Sequence, residues 1–412
     1  MKSDTEQSVD LKKAQSLILG ECMLLPEEQI VLAESLNRFP AGSLLALEPL
    51  PGYNQSLRDG YAIGKPESKN RGVLKDCFQI IDEVAAGDTR QLALRQGEAI
   101  RIMTGGLVPD QCMMVIPQEF CEVSDTRLEV ATSFLSQKKL FIHAKGSELA
   151  RGRVVAAKGA PIRPEQQILL AGVGYDTVQV VRKPRFGFFC TGSELVTGSE
   201  PKPAGKKYSA NNYLLHGLIH CAGAELLEQK TVKDDPEAVA MVLTEMSQSK
   251  CDIIISTGGM GPGKFDLIEE AFARVGGRVV YRSLLLRPGK STLFGIVGNT
   301  LFFGMPGPPP AVHLLFNELI LPAIFALQGA KRCRPQELKA YLTEDVYLPK
   351  RRLPRLKSGS VQVVDGKCLV RPVGRGEPSN CHIYCSATRR HLRKGEKLTV
   401  HLLESAGFGW HF

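Results

Sequence analysis

At 412 residues, 43% hydrophobic and 23% charged, the chain has the composition of a soluble globular protein too long for one core, and roughly two to four domains are expected. No apolar run reaches the ~18 residues of a membrane span, and the start MKSDTEQSVDLKKAQ lacks the apolar stretch of a signal peptide, which predicts a cytoplasmic location with no membrane partner. The net charge of +9 sits in the tail, where 17 Lys and Arg face 7 Asp and Glu from Gly329 onward; aromatic residues are not interleaved with Lys350-Arg351-Arg352, Arg389-Arg390 and Arg393-Lys394, so a basic wall around an anionic small molecule is favoured over nucleic acid.

Residues 10–36 have helical periodicity, and Pro26 is placed to open a second helix at its first turn. In YNQSLRDGYAIG, Tyr53 to Gly64, a charged Asp59 precedes a run that reads as a buried strand. Asp-Gly is the commonest tight-turn pair, which is one explanation; a functional carboxylate is the other. From Gly72 to Ile142, short β-like runs such as QIIDEV, AIRIMTG, MMVIPQEF and RLEVA predict a small all-β domain. RPEQQILLAGVG then reads as a helix ending at a glycine.

At Arg185 the pattern changes. RFGFFCTG and CDIIISTGG are apolar strands, RVVYRSLLLRPG is another, and amphipathic helices fall between and after them. This alternation predicts a doubly wound parallel sheet with helices on both faces. The Pro-punctuated tail from about Ala330 fits a small β-barrel. His216 and His220 lie four apart on a predicted helix; core packing explains them better than a metal. Eleven singly scattered cysteines argue against disulfides. The pair Cys381 and Cys385 flanks His382, but no second pair completes a zinc site, and strand alternation explains the spacing.

The strongest local signal is CDIIISTGGMGPGKFD, Cys251 to Asp266. Four glycines (Gly258, Gly259, Gly261 and Gly263) follow a strand and lead to an acidic residue before a helix. Glycines admit backbone N–H groups close to an anion, and the next helix adds its positive end. The loop lacks the Gly-Lys-Ser/Thr ending of a Walker A motif. In LLLRPGKST, Arg287 and Lys290 flank Pro-Gly, a rigid turn suited to an oxyanion. Pro306-Gly307 opens another helix. Three such loops on one rim predict a pocket. Glu194 lies beyond the first strand, and Asp234-Asp235 precede a helix, where an N-cap role is the ordinary one.

Taken together, these residues resemble the MoeA/gephyrin family of molybdopterin molybdotransferases. LPGYNQSLRDGYAI resembles its PGxxxSxxDGYA signature, IRIMTGGLVPDQCMMVIPQE its RIxTGxxxPxGxDxVVxxE segment, and TGSELV its TGDEL. TGGMGPGKFD resembles the SGGVSVGxxD loop, LRPGKS the KPGKP turn and GMPGPPPAV the LPGNPVS turn. The resemblance implies four parts: a split linker domain (1–48 and 146–182), an inserted β domain (49–145), a molybdopterin-binding α/β domain (183–329) and a C-terminal β-barrel (330–412), in an elongated homodimer. It implies hydrolysis of adenylylated molybdopterin coupled to insertion of molybdate, with Mg2+, and molybdoenzymes or other cofactor-synthesis proteins as partners. The residues implied as catalytic are Asp59, Glu194, Asp234 and Asp266, the first three also as metal ligands. Arg287 and Lys290 would hold molybdate with Thr104 beside them. Thr257, Gly258, Gly259, Gly261, Gly263, Pro306 and Gly307 would hold the pterin and its phosphate. Gly261 replaces a family Ser, Arg287 a Lys, and Glu148 an Asp. These departures keep open a second reading, a catalytically weakened paralogue that carries or scaffolds molybdopterin.

Overall fold

A computed structural model describes residues 8–65, 76–131, 134, 139–196, 198, 202–260, 267–349 and 352–403. The first helix, Leu11–Glu21, is capped by Asp10, whose carboxylate accepts from the Lys13 N–H at 2.8 Å. Its buried stripe of Leu11, Ala14, Gln15 and Ile18 docks on the helical segment Pro309–Leu327, where Gln15 Nε2 donates to the Glu318 carbonyl at 2.9 Å. The second helix expected after Pro26 does not form. Glu27–Val31 is instead a strand, antiparallel to Thr177–Val181, followed by a single 3-10 turn. A pairing with residues far along the chain overrides a local helical pattern. With the strands Leu44–Leu45 and Val154–Ala156 and the helix Pro164–Gly172, these residues close a small core. That helix ends as expected at a glycine: Gly174 takes φ +94°, and Tyr175 N–H donates back to the Leu170 carbonyl at 3.0 Å.

Between these pieces lies a six-stranded sheet in the order Cys112–Pro117, Gly60–Gly64, Glu98–Ile102, Cys77–Val84, Arg127–Val130, Cys121–Ser124. The all-β expectation for this stretch holds. Gly60 sits in the strand, where a side chain would overlap the Ile116 carbonyl, so the Asp59-Gly60 pair is a strand entry rather than a tight turn.

The second six-stranded sheet runs Glu225–Val232, Arg185–Thr191, Ile253–Thr257, Thr300–Met305, Leu293–Val297, Arg278–Tyr281. The first four strands are parallel and the last two pairings antiparallel, so Leu293–Val297 alone runs against the rest, which corrects the parallel-sheet expectation. The edge strand starting at Arg278 stops at Tyr281, and Leu284–Lys290 is a connection to the antiparallel strand Leu293–Val297. Helices Ala210–Cys221 and Pro309–Leu315, with Leu11–Glu21, cover one face, and Pro236–Gln248 and Leu267–Arg274 the other. Pro309–Leu327 is long and apolar enough to span a bilayer, but it lies mostly buried in this core. His216 and His220 are exposed, which corrects the core expectation, and among the described residues they join no metal-binding group.

The tail closes a five-stranded barrel in the order Glu337–Leu342, Lys367–Pro372, Arg355–Val364, Cys381–Cys385, Lys397–Leu402. Cys381, Ile383 and Cys385 fill its interior, and the alternation turns His382 out towards the α/β sheet.

Candidate functional site

Arg185–Thr191 has the second strand of its sheet on one side and the third on the other. A crevice therefore opens beyond the carboxyl ends of Arg185–Thr191 and Ile253–Thr257, the switch point where open α/β sheets bind ligands. Gly258 and Gly259 turn there with φ +90° and +65°. A side chain on Gly258 would overlap the Thr191 carbonyl oxygen. The crevice has a volume of about 1100 Å³. Ala210, Pro236, Leu267 and Pro309 line it, each at the start of a helix, so four positive helix ends face it.

Asn211 organises the floor. Its Nδ2 donates to Thr257 Oγ1 at 3.1 Å and to the Gly307 carbonyl at 2.8 Å, which ties the glycine loop to the Pro306-Gly307 turn. Asn211 Oδ1 and Thr191 Oγ1 are buried without partners. Both residues line the crevice, with these two atoms buried beneath its surface. Gly261, Gly263 and Asp266 lie outside the described residues.

The acidic candidates divide by role. Asp235 is the helix cap, accepting from the Ala238 N–H at 2.9 Å. Asp234 is free of that task and lines the crevice, its Oδ2 accepting from Ser193 N–H at 2.8 Å and Ser193 Oγ at 2.9 Å. Glu194 is exposed on the same rim. Asp59 stands elsewhere, on the other six-stranded sheet, where Oδ1 accepts from both N–H and Oγ1 of Thr104 at 2.7 Å. These two bonds, with the charge of Arg101, hold its carboxyl below the usual range. Neither Asp59 nor Thr104 lines the crevice or the Arg287 turn within one chain. Glu148 faces His143 Nε2 at 3.2 Å. Among the described residues no three His, Cys, Asp or Glu side chains gather as a metal set. Asp59, Glu194 and Asp234 therefore do not fit magnesium within one subunit.

The barrel completes a second cavity. Arg287 N–H donates to the Pro354 carbonyl at 3.0 Å, and Leu356 N–H donates to the Arg287 carbonyl at 2.9 Å. This join places Arg287 and Lys290 beside Arg355 and Lys357 around a groove of about 480 Å³. Among the described residues none of these cations has a carboxylate within ion-pair distance. The groove shares Pro308 with the crevice, and Arg375, also from the barrel, lines the crevice itself.

A switch-point crevice ringed by helix starts adjoins a groove of four cations that, among the described residues, have no carboxylate partner, an arrangement with the charge to receive anionic small molecules. Residues 9–174 match the MoeA N-terminal region (domain I and II), and residues 187–326 the family described as 'Probable molybdopterin binding domain'. The chain is 30% identical to a molybdopterin molybdenumtransferase of Staphylococcus aureus over 98% of both chains. It is also 30% identical to one of Staphylococcus epidermidis, over 84% of this chain and 82% of the other. The chain thus belongs to the MoeA family of molybdopterin molybdenumtransferases. In fold it is similar to two crystal structures of the molybdopterin biosynthesis MoeA protein from Pyrococcus horikoshii. One has a TM-score of 0.82 at 24% identity, covering 98% of this chain and all of the other; the second has 0.75 at 23%.

Asn211, Thr191, Arg355, Lys357 and Arg375 were not among the sequence candidates. Asn211 had a usable signal, an Asn pair at the first turn of a helix following a strand. The three cations carried only the general basic excess of the tail, because barrel closure alone brings these particular ones to the rim.

Proposed function

We propose that this protein is a molybdenum-inserting transferase of cofactor synthesis, which cleaves adenylylated molybdopterin, releases AMP and places molybdenum on the dithiolene. The observation that carries this reading is the pair of adjoining cavities. The crevice suits a pterin phosphate, held by Thr257, Gly258, Gly259 and the Pro306-Gly307 turn, with Asn211 fixing that loop and turn from below. The groove suits a tetrahedral oxyanion, the substrate molybdate, held by Arg287, Lys290, Arg355 and Lys357 through charge-assisted hydrogen bonds. Asp234 and Glu194 face the crevice and can orient water at the phosphate.

Asp59 belongs to this site through a homodimer, with the β sheet of one subunit covering the crevice of its partner. Mixing inactive Asp59→Asn and Asp234→Asn subunits is then expected to restore activity in heterodimers; confirmed subunit exchange without activity would refute the shared site. A cytoplasmic location fits the same reading. The direct test incubates the protein with adenylylated molybdopterin, molybdate and Mg2+. AMP release that depends on molybdate is expected. Tight pterin binding without AMP release would instead favour the carrier.

A further inference from the structure

Pro309–Leu327 begins at the cavities and has a fully buried carboxylate in its middle. Glu318 lies on the π-helical turn Phe316–Ile320, an irregularity that often marks functional positions. His382 Nδ1 lies 2.7 Å from its Oε1, and His401 Nδ1 lies 3.0 Å from Oε1 and 2.9 Å from Oε2. A carboxylate only accepts, so both imidazoles donate from Nδ1. Both histidines belong to the barrel, so the carboxylate is the polar joint between barrel and α/β sheet.

The joint is linked to the groove through strand register. His382 pairs with Ser358, Ile383 with Lys357 and Cys385 with Arg355. Any shift of Cys381–Cys385 therefore carries Arg355 and Lys357 with it. The other wall follows the helix, because Pro308, next to its first residue, lines both cavities.

We propose that Glu318, His382 and His401 are positioning residues, whose joint seats Arg355 and Lys357 against the Arg287 turn and makes the groove's hold on an oxyanion depend on pH. This rests on the reading of the groove as the molybdate site.

The groups facing the joint set the direction. On the helix itself, His313 lies edge-on to His382 at 6.2 Å; burial, aided by the charge of His382, pushes it down to about 4. From the first helix come Gln15 and Lys12; the latter pairs with Glu337, which lies 3.9 Å from His401 Nε2. Tyr384 stacks on His401 at 6.3 Å. Burial opposes the charge of Glu318, but the two histidine hydrogen bonds outweigh it and hold the pKa below its ordinary 4.5. Burial likewise opposes protonation of His401, and the hydrogen bond and charge of Glu318 outweigh it, raising the pKa above 6.5. A raised histidine stabilises the folded joint fully below its unfolded value and loses that contribution as pH climbs through the folded one. The lowered carboxyl acts at the other end, its contribution fading as pH falls below 4.5. The joint is firm in mildly acid solution and loosens as pH climbs through the raised pKa of His401.

The test measures molybdate affinity calorimetrically from pH 6 to 9, with amide exchange at 355–358 and 381–385 on the same samples. The wild type is expected to lose affinity about tenfold over this range, the equivalent of one pK unit, as exchange at these strands rises. His401→Gln keeps a donor but cannot titrate, so it should give a flat pH profile in a folded protein. Glu318→Gln should match the alkaline wild type at every pH, and Glu318→Asp should recover part of the difference. If Glu318→Gln does not fold, His401→Gln alone decides. A pH profile unchanged in His401→Gln, or exchange that rises while affinity stays constant, overturns the proposal. Failure of the groove reading has a different signature: Lys290→Gln would leave molybdate affinity untouched, and the exchange profiles would still decide whether the joint loosens.

Discussion

At the floor of the crevice, Asn211 Oδ1 and Thr191 Oγ1 are buried without partners, whereas at the barrel joint both oxygens of Glu318 are occupied and only His382 Nε2 is left unmet. An unmet buried polar atom costs about 1–3 kcal/mol. The floor therefore carries two such costs where the joint carries one, and the joint's carboxylate is held from two strands of the barrel. The same helix serves both, meeting the crevice at its start and the barrel at its middle.

The comparison breaks most sharply at Gly258. Its φ of +90° and its closeness to the Thr191 carbonyl leave no room for a side chain. Gly258→Ala should cost about 1–3 kcal/mol in backbone strain alone, lower the melting temperature and weaken pterin binding about a hundredfold, near 2.8 kcal/mol; unchanged binding in a folded variant would move the site elsewhere. Asn211→Ala separates floor from scaffold. It removes two hydrogen bonds along with an unmet acceptor. Stability should fall by only about 1 kcal/mol, but pterin affinity by about tenfold, as read by melting and fluorescence titration; a large stability loss with normal affinity would make Asn211 structural. The smallest effect belongs to Asp235. Without this cap the helix Pro236–Gln248 should lose about 1 kcal/mol, and Asp235→Ala should release AMP as the wild type does, in contrast to its neighbour Asp234.

Elements built from local pattern were legible in the sequence: the buried strands Arg185–Thr191 and Ile253–Thr257, the capped helix Pro236–Gln248 and the alternating barrel strands. Those that depend on distant pairing were not, as Glu27–Val31 demonstrates with its partner at Thr177–Val181. The same division holds for the site. Gly258, Asp234 and Arg287 sit in recognisable loops. Arg355 and Lys357 reach the groove only because the barrel docks against the α/β sheet. Glu318 did carry a trace, a lone acid in the apolar run HLLFNELILP, and a charge so placed needs a buried partner.

The docking of the first helix on the end of the α/β domain has a consequence for how the chain is made. Val9 N–H bonds to the Ser283 carbonyl at 3.0 Å, and Gln15 reaches Glu318 across 303 residues. At about 5–20 residues per second, a ribosome takes about 15–60 s to deliver that partner. For this interval the stripe of Leu11, Ala14 and Ile18 travels on the nascent chain with nothing native to cover it. The interval of greatest exposure to chaperones and to aggregation is thus timed by translation, and slowing the ribosome anywhere between these two segments lengthens it.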